Sequence, residues 1–289
     1  MSDKPVVSPA RKHGSPHAIE LALFAVELAE PIAAPVIERL LTSPPKAIST
    51  LFPGQKPREV RNFTFTVEHS IHDRTEKKEY KQGGVTGVVW ETWVEPEQVE
   101  LAFHVNSNQI LVAIGKYSRW AAEWEKTKSL LSALSDVIHQ LELEPPQVAS
   151  FTLQYNDAFV VSKLSGGWQE SLFKKESGYI PLKLLTADDI WHVHQGYVEK
   201  VDGDLFLTNI RIDVTRTMEG GRVSMISNHR AQAENFALSL EGIAQLGAVY
   251  TRMHSANKCL LSELFCENIQ ALIGLNMKQE DNEVRHAGS

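Results

Sequence analysis

The sequence predicts an α+β protein built as two similar modules, each an antiparallel sheet covered on one face by a long helix. Three observations carry this expectation. Short stretches in which apolar and polar residues alternate, the period of a strand with one wet face, recur in both halves of the chain. Two long stretches repeat their apolar residues every three or four positions, as a helix packed on a core does. The order strand, helix, three or four strands, helix runs twice, without the regular β-α-β alternation that a parallel doubly wound sheet requires. The expected boundaries are a disordered tail over 1–15, a first module over 16–145, a second over 146–277 and a second disordered tail over 278–289.

His17 to Glu27 (HAIELALFAVE) is apolar-rich but short for a capped helix, and reads as a strand. Pro31 sits where a helix can begin; Ile32, Val36, Ile37, Leu40 and Leu41 follow at helical spacing, and Pro44-Pro45 stops the element. Phe63, Phe65 and Val67 alternate with polar neighbours, Gly83-Gly84 marks a turn, and Val85 to Val94 is rich in β-branched and aromatic residues. Val99, Leu101, Phe103 and Val105 alternate again, and Asn106-Ser107-Asn108 joins them to Ile110 to Ile114 as an antiparallel hairpin. From Ser118 to Leu141 a helix is expected: Trp120, Trp124, Leu131, Leu134, Ile138 and Leu141 form one apolar stripe, with Glu123, Lys126 and Lys128 facing away. Pro145-Pro146 ends it and divides the halves.

In the second half Phe151, Leu153 and Tyr155 alternate on a strand, and a short amphipathic piece runs from Trp168 to Phe173. Three strands follow at Ile190 to Val198, Leu205 to Val214 and Arg222 to Ser227, joined by the turns Asp202-Gly203-Asp204 and Glu219-Gly220-Gly221. A helix pair closes the chain. Phe236, Leu240, Ile243, Gly247 and Tyr250 form the first stripe, and Leu260, Leu261, Leu264, Phe265 and Ile269 the second, beyond Ser255-Ala256-Asn257.

With 289 residues, 43% of them hydrophobic and 22% charged, the chain can bury a large core. No run approaches the ~18 apolar residues of a membrane helix, and Met1 to Ser15 lacks the apolar centre of a signal peptide. A soluble cytoplasmic protein is therefore expected, without membrane partners. Cys259 and Cys266 fall in one predicted helix, roughly 10 Å apart along its axis, too far for a disulfide and suited to a reducing compartment. A net charge of −7 repels polyanions. The loose basic clusters, Lys4, Arg11 and Lys12, then Arg74, Lys77, Lys78 and Lys81, read as solvated surface, so nucleic acid is not an expected partner. Composition leaves homo-oligomerisation open.

The paired glycines lack the spacing and context of a phosphate loop, and no nucleophile elbow, zinc-type cysteine pair or His-Glu-x-x-His occurs. No cofactor is expected. His192-Val193-His194 would present two imidazoles on one side of a strand, with Asp213 or His229 available from neighbouring strands to complete a metal site. Trp191, Val193 and Tyr197 look like the core-facing set, which puts both histidines on the wet face. Asp202, Asp204 and Asp213 with Lys200 and Arg211 resemble a nuclease-like acidic cluster, but two of these aspartates belong to a tight turn. Tyr250 and His254 lie one helical turn apart with Asn257 close by, a trio that could line a pocket or be satisfied in the core. Tyr155 and Asn156 are candidate binding residues, yet strand geometry points them to opposite faces.

Several short motifs recur in order. Pro16 to Glu20 (PHAIE), Tyr117 with Trp120 and Trp124, Leu153-Gln154-Tyr155-Asn156, Ile210-Arg211-Ile212-Asp213, and Met253-His254 followed by Leu264-Phe265 resemble a sporadically distributed, uncharacterised prokaryotic family of similar length. The likeness spans nearly the whole chain between its tails. It departs at Gln154, where members typically carry arginine. The resemblance implies no catalytic residues; it implies horizontally mobile genes such as antiviral defence or toxin–antitoxin loci.

The leading expectation is a non-catalytic binding or regulatory component of such a system, acting through a protein partner, either an effector or a neighbouring-gene product. The alternatives are a metal-dependent hydrolase or nuclease using His192, His194 and Asp213, and a small-ligand sensor built near Tyr155, Asn156 and His254. The non-catalytic expectation rests on polar side chains being dispersed over wet sheet faces and turns, with no cluster in a dry cleft.

Overall fold

A computed structural model of the chain describes residues 6–10, 18–68, 77–96, 98–201 and 203–275, with no side-chain account of 9, 62–68 and 77–83. In chain order the elements are β1 (Val7–Pro9), β2 (Ile19–Leu28), α1 (Ala34–Thr42), α2 (Lys46–Leu51), β3 (Arg58–Glu68), β4 (Lys77–Glu95), β5 (Gln98–Asn106) and β6 (Gln109–Ile114). Then come α3 (Trp120–Gln140), β7 (Val148–Val161), a 3-10 turn (Trp168–Ser171), α4 (Leu182–Leu185), β8 (Trp191–Val201), β9 (Asp204–Thr217), β10 (Gly220–Gln232), α5 (Leu240–Leu264) and α6 (Glu267–Leu272). The mixed α+β class is as the periodicities predict. Most of tail 1–15 and all of tail 278–289 lie outside the described residues, as do Lys4, Arg11, Lys12, Arg74 and Asp202. Val7–Pro9, within the expected first tail, is paired with β7.

The strands make one antiparallel sheet in the order β3-β4-β5-β6-β2-β7-β10-β9-β8, with β1 beside β7, where two separate sheets were expected. The halves join where β2 pairs with β7, from Ile19 opposite Asp157 to Leu28 opposite Val148. Left unpaired, each of these strands would be an edge with a row of unsatisfied N–H and C=O groups. Alternation within one strand carries no mark of which strand lies next to it, so the seam is invisible in the sequence.

All the helices share core clusters with one face of this sheet. Leu130, Leu134 and Ile138 of α3 pack on Phe24, Phe103 and Val112. The first half of α5 enters the same cluster through Ile243, Leu246 and Tyr250. Its second half enters another through Leu260, Leu261 and Leu264, against Phe159, Ile212 and Met225. The two long helices approach closely at Gly247, where a β-carbon would stand 3.2 Å from the Trp124 indole nitrogen. No helix among the described residues is long and apolar enough to cross a membrane.

Four local expectations are corrected. The closing helix pair is one continuous helix through Ser255-Ala256-Asn257, because the Asn257 side chain is buried and bonded to β10 and so does not compete with the helix backbone. Cys266 accordingly leaves the helix of Cys259 and caps α6. Pro44-Pro45 ends α1 but also opens α2, since a helix N-terminus has no use for the missing N–H. Glu123 does not face away: it is buried and folds back so that Ser118 N and Oγ donate to its Oε1 at 3.1 and 2.6 Å, while Lys126 pairs with Oε2 at 2.7 Å. The first turn of α3 has spare N–H groups and a positive dipole end, which favour a carboxylate there.

Candidate functional site

Strand alternation along β7 sends Phe151, Leu153, Tyr155, Asp157 and Phe159 to the helix side and buries all five. The last three turns of α5 and the entry to α3 cross above Tyr155 and Asp157. Between them lies a cavity of about 150 Å³, the size of an engineered cavity that admits benzene. Tyr117, Tyr155, Asp157 and Asn257 are its buried polar lining, and Arg119 and Lys258 its more exposed, solvent-side members. Ile19, Leu261 and Ile273 supply apolar wall.

Tyr155 is fully buried, and its hydroxyl shares a 2.9 Å hydrogen bond with His254 Nδ1. Tyr117 meets the Tyr155 ring edge-on at 6.0 Å, and the Trp120 indole lies flat on the His254 imidazole, with centroids 4.4 Å apart and planes 3° apart. Burial, then the positive charges of Lys258 and His229, pull the His254 pKa down to about 3. The imidazole is therefore neutral at physiological pH, one nitrogen a donor and the other an acceptor. Burial, then the charge of and hydrogen bond to Tyr117, push the Tyr155 phenol well above its ordinary range. Both groups are held uncharged.

Asp157 differs. Its side chain is 3% exposed, it lines the cavity, and its Oδ2 has no hydrogen-bond partner among the described residues. Burial, then the negative charge of Glu20, raise its pKa to about 7. Glu20 is the extra residue of a bulge in β2, between Ile19 opposite Asp157 and Leu21 opposite Asn156. Bulges of this kind re-aim side chains next to functional sites. Glu20 itself pairs with Arg222 at 2.5 Å on the sheet face away from the helices.

Beside the cavity a largely buried polar string crosses β10, β9 and β8 on the helix side of the sheet. Ser227 Oγ donates to Asn257 Oδ1 at 2.6 Å, His229 Nε2 lies 3.2 Å from the same oxygen, and His229 Nδ1 lies 3.0 Å from Thr208 Oγ1, which donates to Glu199 at 2.5 Å. Burial keeps the His229 pKa below its ordinary value.

Of the predicted site residues, the structure brings Tyr155 and His254 together and separates the rest. Asn156 lies on the opposite face, where it accepts from Gln154 at 2.9 Å; the bulge is in β2, so β7 keeps its alternation. Tyr250 is a core residue whose hydroxyl donates to the Ala25 carbonyl at 2.8 Å. His192 and His194 are exposed on the open face, as the Trp191, Val193 and Tyr197 pattern predicts, and stand opposite Asp213 and Arg211. The Asp213 carboxylate is held by Arg211 at 2.7 and 3.2 Å. His229 points to the helix side, away from both. Asp204 pairs with Arg252. Among the described residues no group of three or more His, Cys, Asp or Glu side chains could hold a metal ion.

Polar side chains are thus not wholly dispersed: a tyrosine pair, a histidine and an orphaned aspartate converge beneath α5. The sequence reading passed over Asp157, although its signal was present as a carboxylate on the apolar phase of Phe151, Leu153, Tyr155 and Phe159. No protein-family model, curated protein or solved structure was found to match this chain.

Proposed function

We propose that this chain works by binding, and that its cavity between β7 and α5 takes a small polar ligand. The observation that carries the reading is the buried Asp157 carboxyl with an oxygen that no described residue satisfies. Leaving such a group without a partner costs about 1–3 kcal/mol or more, and a ligand that supplies the partner removes the cost. Neutral His254 and protonated Tyr155 favour hydrogen bonding to a ligand over attack on one. The test is a screen of charged and neutral fragments of about six to ten heavy atoms, read by shifts of the His254 imidazole signals. Fragments that perturb His254 in the native protein and not in an Asp157→Asn variant support the reading; a screen in which no fragment perturbs it sinks it.

A second reading is favoured by the sheet's other face. Val198 and Leu207 face each other across β8 and β9 on the side without helices, 65% and 43% exposed, and Leu205 nearby is 62% exposed. Exposed apolar side chains grouped at a sheet margin suit a protein partner. An effector from a mobile defence or toxin–antitoxin locus is the partner implied by the family resemblance. Co-purification of a neighbouring-gene product that survives Val198→Lys with Leu207→Lys would remove this surface from consideration. The strand order also supports two duplicated modules over 16–145 and 146–277. In each half the first strand lies beside the last strand of the meander, β2 by β6 and β7 by β10, and the two first strands meet at the seam.

A further inference from the structure

The charges around the cavity are arranged by depth. Asp157 sits at the buried end, while Arg119 and Lys258 belong to its solvent side. A ligand that is only a cation would satisfy Asp157 but would meet two positive side chains on entry. A ligand that is only an anion would match Arg119 and Lys258 but would bring a second negative charge towards an acidic group already crowded by Glu20. We infer that the ligand is a small zwitterion, entering with its ammonium group against the Asp157 carboxylate and leaving its own carboxylate between Arg119 and Lys258. Two further features fit this ligand class. The aromatic side chains of Tyr117, Trp120 and Tyr155 line the cavity, and aromatic rings attract an ammonium electrostatically. The cavity volume of about 150 Å³ suits a chain of a few carbons between the two charges.

In the bound state Asp157 accepts from the ammonium, a charge-assisted hydrogen bond stronger than a neutral one, and the orphaned oxygen gains its partner. With the acidic group paired, the attraction of the ammonium outweighs the opposition of Glu20 to its ionisation. Arg119 lies at the N-cap of α3 and Lys258 on α5, so a carboxylate held by both would also bridge the two long helices where they frame the cavity.

This inference rests on the cavity being a ligand site, and the experiment separates the two. Isothermal titration with the full chain uses four probes: 4-aminobutyrate, valine, butylamine and butyrate. The expected result is that at least one of the two zwitterions binds at least tenfold more tightly than butylamine and butyrate, the loss expected when a charged hydrogen-bond partner is missing. Asp157→Asn should weaken that zwitterion about tenfold, and so should the double variant Arg119→Gln with Lys258→Gln, at one exposed and one half-buried position, with an unchanged melting temperature showing that its fold is intact. If butylamine or butyrate matches the zwitterions, or if all four fail while a neutral fragment still shifts His254, the zwitterion is wrong and the ligand site stands. If neither the probes nor any fragment binds, both fall together.

Discussion

Asp157 shows how one carboxyl can tie the stability of this fold to pH. Its pKa lies at about 7 in the folded chain, against an ordinary value of 3.8, so the folded state holds a proton that the unfolded chain releases. The sign follows. The stability from this proton is fully present below about pH 4 and is lost as the pH rises through about 7. An Asp157→Asn variant has no such proton to lose, so its melting temperature should gain on the native protein between pH 4 and pH 8, by the equivalent of a few kcal/mol at most. Parallel melting curves across that range would remove Asp157 as the group responsible. Tyr155→Phe is a milder change. It deletes the hydroxyl bonded to a neutral His254 and should cost about 1 kcal/mol by denaturant titration.

At the scale of elements, α5 depends on a polar contact in its second half. Ser227 Oγ and His229 Nε2 both use Asn257 Oδ1, so Asn257→Leu takes this partner from both, and His229 keeps only Thr208 through Nδ1. The substitution should destabilise the protein by about 2–3 kcal/mol in chemical unfolding. Asn257→Asp keeps an acceptor there and should cost less; equal losses would show that helix packing, and not the bond to β10, accounts for the effect. The same residue explains why α5 was read as two helices. Ser255-Ala256-Asn257 has the composition of a loop, and only the strand opposite it shows that Asn257 is satisfied sideways. For α3 the length and stripe were legible from the spacing of Leu131, Leu134 and Ile138. The inward turn of Glu123 was not, because a charged residue beside Lys126 reads as surface until Ser118 is seen bonding to it.

For the molecule as a whole, the seam between β2 and β7 and the reach of α5 across both cores make the halves interdependent. Tyr250 and Leu246 of the second half are buried with Phe24 of the first. Residues 16–145 alone would expose the whole edge of β2 and the apolar surface that α5 covers. That fragment is expected to aggregate or remain without fixed tertiary structure by NMR, and to fold when mixed with 146–277. A cooperative, well-dispersed spectrum from 16–145 alone would overturn this interdependence. The open face should tolerate change by contrast. Val198→Lys and Leu207→Lys remove no buried contact and should each alter stability by less than about 0.5 kcal/mol.

The two periods of apolar residues were enough to place α3 and most of the strands, though not β1 or the unbroken run of β4 through Gly83-Gly84, to put His192 and His194 on the wet side of β8, and to separate Tyr155 from Asn156. These are local properties: the direction of a side chain along a strand or helix follows from backbone geometry, which each segment carries alone. The joining of β2 to β7, the continuity of α5, and the meeting of Tyr117, Tyr155, Asp157 and His254 in one cavity required the folded chain. Each depends on which segments become neighbours, and hydrogen-bonding edges and apolar faces are much the same from one strand to the next. The cavity chemistry arises at that level, since a carboxyl in water becomes an orphaned group with a raised pKa only when a helix and a second strand close over it.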